Sequence, residues 1–412
     1  MSLHILFYTG ILFLLSQASG RLAQRFKAPR LVGYLLAGIL IGPSVLKLFS
    51  ASLVQDQFAV VTEIALAMIA FSIGGSLRRE KLRDLKGAIL WITLLQAFCA
   101  FALVLGVMCF VMPFFLDSAS RAQPLLKSFL PIAIIIGAIS AATAPAAILS
   151  IIQEYKSKGP FTTVLLGLVA LDDALVLIFF SFASVAAKNL ISGDLMLWQD
   201  AILIPVAKIA AALFLGFVAG FVLRKAVSYF HHRDTVLGVV IGSVLLTSGL
   251  ALSFGLSALL ANMVLGFYVA NHIRHRRSDE IFGVIRDIEE PIFGAFFLLA
   301  GTHLDLHLAR AVLGLAFILI LVRYAGKLIG AYTGAVIGKA PSSVRKYIGL
   351  ALLPTAGVTI GLALEAYHNF SPSLPILSET MLNIIVGATL INELTAPFAV
   401  RYSLSRAGEI HT

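Results

Sequence analysis

The sequence predicts an all-α integral membrane protein of about 13 transmembrane helices, arranged as inverted repeats around two broken crossing helices. Three observations predict it. The 412 residues are 59% hydrophobic and 13% charged, with a mean hydropathy of +0.96, which leaves too little polar surface for a water-soluble domain. Apolar runs recur at the length a helix needs to cross roughly 30 Å of hydrocarbon. Basic residues collect in alternate connections: of 31 Lys and Arg, 22 fall on one side, 5 on the other, and 4 at or within the apolar runs. Positive connections face the cytoplasm, so the N-terminus is expected outside and the C-terminus inside a bacterial cytoplasmic (inner) membrane. The net charge of +10 is spread over those connections, which argues against a nucleic-acid partner and for lipid around the chain.

Taken in order, residues 2–20 form an apolar run with no basic residue before it and RLAQRFK after it, the reverse of a cleaved signal, so a retained helix is expected. Runs at 31–49 and 57–77 follow, and the third carries Glu63, either a cavity-lining acid or a buried, partnered one. The run at 87–116 holds both cysteines, Cys99 and Cys109, about 15 Å apart on one helix and too far for a disulfide. The run at 127–153 is interrupted by Ser140-Ala141-Ala142-Thr143-Ala144-Pro145, roughly 15 Å from its cytoplasmic end. The run at 160–187 contains Asp172 and Asp173, roughly 18 Å deep and projecting about 100° apart. Next come 201–224, where Lys208 is expected to snorkel, then 235–253, 255–273 and 283–302, with Glu289 and Glu290 suited to a helix N-terminus. The run at 308–338 carries Arg323 and Lys327 one helical turn apart, Lys327 roughly 17 Å deep. The run at 344–366 is broken by Leu353-Pro354-Thr355-Ala356-Gly357 at a similar depth, and 376–400 carries Glu393, a candidate for steering cations. His231, His232, His272 and His275 lie in cytoplasmic connections, as candidates for sensing pH.

An ionisable residue at a helix centre costs about 2.5 to 3.5 kcal/mol in lipid, so each should be partnered or working. The two breaks, the acids and Lys327 share one depth, and the broken helices run in opposite senses. That is the layout of a midplane ion site to which freed carbonyls contribute. One acid is expected to pair with Lys327 or Arg323, and the other to face a water-filled cavity where proton and cation compete. No Walker loop, zinc-ligand spacing or nucleophile elbow is visible, so neither an enzyme nor a cofactor beyond the transported ions is expected.

Six pieces in order, KAPRLVGYLLAGILIGPSVL, EIALAMIAFSIGGSLR, AISAATAPAAIL, the Asp172-Asp173 pair, EEPIFGAFFLLAGTHLDL and VRYAGKLIGAYTGA, give the chain a resemblance to a known family. It resembles the bacterial monovalent cation:proton antiporters, the branch holding sodium/proton antiporters and glutathione-gated potassium efflux systems. The resemblance implies a homodimer with a scaffold (31–86 and 235–302, with 1–20), a mobile ion-binding core (87–187 and 308–402) and a linking helix (201–230), working by alternating access. It further implies that Asp172 engages Lys327 while Asp173 takes the monovalent cation, helped by Thr143 and neighbouring carbonyls. Ala144, Pro145, Pro354, Thr355 and Gly357 would shape the crossing, and Ser140, with Glu63 and Glu393, is a candidate to line the cavity.

There are departures from the family pattern. Asp172 stands where potassium systems usually have an uncharged residue, which favours sodium. Thr355 and Gly357 stand where many relatives carry a charge. No Gly-rich nucleotide-binding fingerprint occurs, so gating of the potassium-system kind is not expected. The expected function is exchange of Na+ or Li+ for H+, with K+/H+ exchange as the alternative. From a different class, an ion channel or a non-transporting sensor would also place charges in the membrane.

Overall fold

The computed structural model describes residues 4–43, 45–49, 58–80, 85–115, 125–192, 198–230, 233–302, 313–355 and 357–410. Among them every regular element is helical. In chain order they are α1 (Ile5–Arg25), α2 (Arg30–Ile41), α3 (Ala59–Ser76), α4 (Lys86–Phe115), a one-turn π-helix (Leu125–Phe129), α5 (Leu130–Ser140), α6 (Pro145–Glu154), α7 (Pro160–Ser192) and α8 (Trp198–Tyr229). They continue with α9 (Arg233–Ser253), α10 (Ala258–His272), α11 (His275–Thr302), α12 (Leu313–Ile337), α13 (Ser342–Ala351), α14 (Gly357–Phe370) and α15 (Pro375–Arg406). Among the described residues, 8 helical spans are long and apolar enough to cross a membrane, and shorter apolar helices occupy the other runs read from the sequence.

Helix ends follow from local chemistry. After α1, Lys27 takes φ 58° and Ala28 N–H reaches back to Ala23 O at 3.0 Å; after α6 and α12, Lys156 (φ 51°) and Lys339 (φ 52°) do the same, with Ser157 on Ile152 O and Ala340 on Ala335 O. Each is a left-handed closure that satisfies terminal carbonyls. Lysine there suits the negative end of the helix dipole, which offsets part of the strain of a side chain at positive φ.

The chain divides into two compact units, the first comprising Met1–Asp84, Pro145–Lys158 and Ala207–Leu304 and the second Leu85–Ala144, Gly159–Val206 and Asp305–Thr412. In the first, helices pack backbone to backbone in reciprocal glycine pairs. A Cβ on Gly38 would strike Leu298 O of α11 and one on Gly301 would strike Leu35 O of α2; Gly74 and Gly266 face Met263 O and Phe71 O in the same way across α3 and α10. Glu154 at the end of α6 accepts the Arg30 backbone N–H at 2.9 Å, placing a carboxylate at the start of α2.

In the second unit α4 and α12 form a longer seam. Gly326, Gly330, Gly334 and Gly338 recur every fourth residue, and a Cβ on each would come within 2.6 Å of the Cα of Ala100, Gln96, Ile92 and Ala88 in turn. Small residues let helices approach where dispersion, rather than water exclusion, holds them together. α5 is buried over most of its length, with Leu130 and Ile134 partly buried. Beyond α15, Glu409 accepts from Phe161 N–H (2.7 Å), Thr162 N–H (2.8 Å) and the Thr162 hydroxyl (2.6 Å), capping the N-terminus of α7.

Candidate functional site

The two interruptions arise where the sequence placed them. Pro145 has no N–H to donate and disfavours helical backbone at Ala144, so α5 stops at Ser140 and α6 starts afresh at Pro145. Pro354 does the same between α13, which ends at Ala351, and α14, which Gly357 opens. The breaks meet, because Ala144 N–H donates to Pro354 O at 2.8 Å. Several carbonyls released there would be costly if left bare in an apolar interior.

Two cations on α12 take them. Arg323, 4% exposed, donates through Nε to Ser140 O (3.0 Å), through one terminal nitrogen to Leu353 O (2.7 Å) and through the other to Ala142 O (2.6 Å). One planar guanidinium therefore joins both breaks. Lys327, fully buried, donates through Nζ to Ala141 O and to Thr143 Oγ1, each at 2.6 Å. Asn392 of α15 finishes the second break, donating to Leu353 O at 2.7 Å and Thr355 Oγ1 at 2.6 Å while its Oδ1 accepts from the Tyr324 hydroxyl.

One acid of the pair lies beside Lys327. Asp172 Oδ2 is 3.7 Å from Lys327 Nζ, an ion pair longer than a hydrogen bond, and Asp172 Oδ1 accepts from Gln96 Nε2 at 2.6 Å. Of the two cations that the sequence left open as partners for Asp172, Lys327 is the one in reach and Arg323 is spent on carbonyls. Asp173 is 4% exposed, and neither of its oxygens has a hydrogen-bond partner among the described residues. A buried, bare carboxylate calls for a proton, a water or an ion.

Other sequence candidates fall elsewhere. Thr143 and neighbouring carbonyls were expected to help hold a cation; in the structure side-chain donors reach the carbonyls of Ser140, Ala141, Ala142 and Leu353, and the Thr143 and Thr355 hydroxyls accept from Lys327 and Asn392. Glu63, read as a cavity acid or a buried one, is exposed on α3 in the first unit. Depth along a helix does not say which way a side chain faces. Glu393 is buried on α15, one residue past Asn392, and Pro145 groups with the first unit. Lys208 is exposed on α8. His272 stacks on Tyr268 with ring centroids 4.2 Å apart, whereas His231, His232 and the side chains of His275, Glu289 and Glu290 lie outside the described residues.

Sequence reasoning missed Gln96 and Asn392, each a strongly polar side chain in an apolar run, which was the available signal. A small cavity lined by Ser140, Arg323, Tyr324, Thr355, Thr359 and Asn392 lies on the Arg323 side of the crossing, and neither acid lines it. No group of three metal-ligating side chains occurs among the described residues.

Comparison with known proteins points one way. A family model described as "Sodium/hydrogen exchanger, transmembrane" matches residues 10–403. The Na(+)/H(+) antiporter NhaS4 of Synechocystis sp. is 34% identical over 169 residues, 39% of this chain and 40% of that protein, so the match spans less than half of that relative. The Ammonium/H(+) antiporter subunit AmhT of Alkalihalophilus pseudofirmus is 25% identical over 390 residues, 92% of each chain. Two structures of the sodium proton antiporter MjNhaP1 from Methanocaldococcus jannaschii share the fold. The one at pH 8 has a TM-score of 0.71 at 18% identity, over 98% of this chain and 99% of that one. The one from an EM map has a TM-score of 0.76 at 17% identity, over 100% of both.

Proposed function

The chain belongs to the sodium/hydrogen exchanger, transmembrane, family, and from that membership we propose that it exchanges Na+ or Li+ for H+ by alternating access. An exchanger moves ions and remakes no covalent bond, so the protein is an integral membrane transporter and not an enzyme. The observation that carries the proposal is Asp173, buried, with both oxygens bare, next in the chain to an acid already paired with Lys327. A carboxylate so placed holds a proton or a cation but not both, and that competition couples the two fluxes. Asp172 and Lys327 supply the fixed charges around it, and release of protons from both acids in each cycle would make exchange electrogenic.

The gathering of 85–144, 159–206 and 305–412 into one unit supports assigning the alternating, ion-binding part there and the scaffold to the first unit. The bias of 22 basic residues to one side against 5 to the other supports N-out, C-in insertion in the bacterial inner membrane. Homodimerisation through the scaffold rests on the family resemblance. A second reading, NH4+ for H+, is favoured by one observation: the relative aligned over 92% of both chains is named an ammonium/H+ antiporter subunit.

The test is proton movement in sealed proteoliposomes holding an imposed pH gradient, with Na+, Li+, K+ and NH4+ added in turn to wild type and to Asp173→Asn. Dissipation by Na+ or Li+ that disappears in the variant supports the proposal. A response to K+ or NH4+ alone moves the substrate, and current without coupled proton movement identifies a channel. Rates unaffected by an imposed membrane potential would count against electrogenic exchange.

A further inference from the structure

Gln96 sits on α4 with 1% of its surface exposed. Its Nε2 donates to two acceptors, Thr93 O at 3.2 Å and Asp172 Oδ1 at 2.6 Å. Both partners are oxygens, so the amide is oriented: turning it over would press oxygen against oxygen. Oε1 is thereby left buried with no donor among the described residues. Asp172 Oδ2 and both Asp173 oxygens share that condition, which makes four buried, donor-free oxygens on three residues. Among the described residues the one cation within ion-pair distance of any of them is Lys327, at 3.7 Å. Gln96 and Asp172 are joined by the 2.6 Å hydrogen bond and Asp173 is the next residue of α7, and oxygens that lack donors suit a hard cation, which is bound through oxygen lone pairs.

The backbone beneath Gln96 is anchored as well. Gly330 lies so close that an added Cβ would come within 2.6 Å of the Gln96 Cα. That contact holds the Gln96 backbone against α12, the helix that carries Lys327.

We propose that Gln96 is a specificity-determining residue of the exchange, its Nε2 holding Asp172 in register with Lys327 and its Oε1 serving as a neutral oxygen ligand to the cation that loads at the acid pair. This rests on the exchange function proposed above. A neutral ligand adds coordination without adding charge, so its loss should bear on which cation is preferred more than on how fast the protein cycles. A residue that only positioned Asp172 would affect every cation alike.

The test uses the full chain in proteoliposomes, with Gln96→Leu, which removes both amide atoms, and Gln96→Asn, which keeps the amide and draws it back by one methylene. Thermal unfolding in detergent identifies the folded variants. The expected result is an apparent KM for Na+ or Li+ raised by about tenfold, a kcat within about threefold of wild type, and a Na+ to K+ preference changed by at least about fivefold. Should Gln96→Leu not fold, the altered preference is read from Gln96→Asn. Unchanged KM and preference in the folded variants, or a fall in kcat equal for all cations, would overturn the ligand role. Absence of any cation-coupled proton movement in wild type would instead remove the proposed function itself, and the two failures are therefore distinguishable.

Discussion

On α12, Arg323 and Lys327 lie one turn apart and serve opposite purposes. Arg323 gives three hydrogen bonds to three carbonyls drawn from both breaks. Lys327 gives one to a carbonyl and one to a hydroxyl, and lies 3.7 Å from a carboxylate. Guanidinium is a rigid fork and stays charged, whereas ammonium is a point charge on a flexible stem. The arginine side of the crossing is thus saturated, and the lysine side is left one bond short. What separates a staple from a working site here is incomplete satisfaction: Asp172, 3.7 Å from Lys327, keeps an orphan oxygen, as do its hydrogen-bond partner Gln96 and its chain neighbour Asp173, while Asn392 and Tyr324 close the other side.

Ranked by effect on folding, the contrast can be broken in four places. Arg323→Ala should cost the most, about 3 to 5 kcal/mol, because the buried carbonyls of Ser140 and Ala142 lose their side-chain donor at once and Leu353 O is left with Asn392 alone; a fall in thermal midpoint smaller than that of any Lys327 variant would contradict the staple role. Lys327→Met should cost about 2 to 3 kcal/mol by leaving Asp172 uncompensated. Adding Asp172→Asn should recover at least about half of that loss, since removing both halves of a buried pair is far cheaper than removing one. A double variant as unstable as the sum of the singles would show that the 3.7 Å pair is not coupled. Asn392→Ala should cost about 1 kcal/mol and change the KM for the cation by less than about threefold, measured by melting and by transport on one preparation. Asp173→Asn should leave the melting temperature equal or higher, because no bond is lost, while abolishing exchange; a clear loss of stability would mean that Asp173 has a structural partner.

Much of this was legible in the residues. Apolar run lengths located the helices, and Pro145 and Pro354 located both breaks, because a missing N–H is a local fact. The matched depths of Asp172 and Lys327 are arithmetic along a helix, and the two side chains do meet. Rotation about the helix axis was not legible. Glu63 was placed by depth and is exposed. Thr143 was expected to help hold the ion and Thr355 to shape the second break; that their hydroxyls accept from Lys327 and Asn392 was not legible, because which donor reaches a hydroxyl depends on helices distant in sequence. The four-residue spacing of Gly326, Gly330, Gly334 and Gly338 is visible in the chain, but the helix it packs against is not.

That glycine seam bears on the clock of the transporter. Two helices whose backbones touch along four successive turns cannot roll or slide past one another without opening the contact. Lys327 and Gln96 are fastened to opposite sides of it. Asp172 is carried by α7, outside that seam, so parting it from Lys327 is either a rotation about side-chain bonds, which is fast, or a displacement of α7 against α4 and α12 together, which belongs to the microseconds to milliseconds of collective helix movement. The seam thus makes α4 and α12 one carrier for Gln96 and Lys327, and any helix movement that times the break falls to α7.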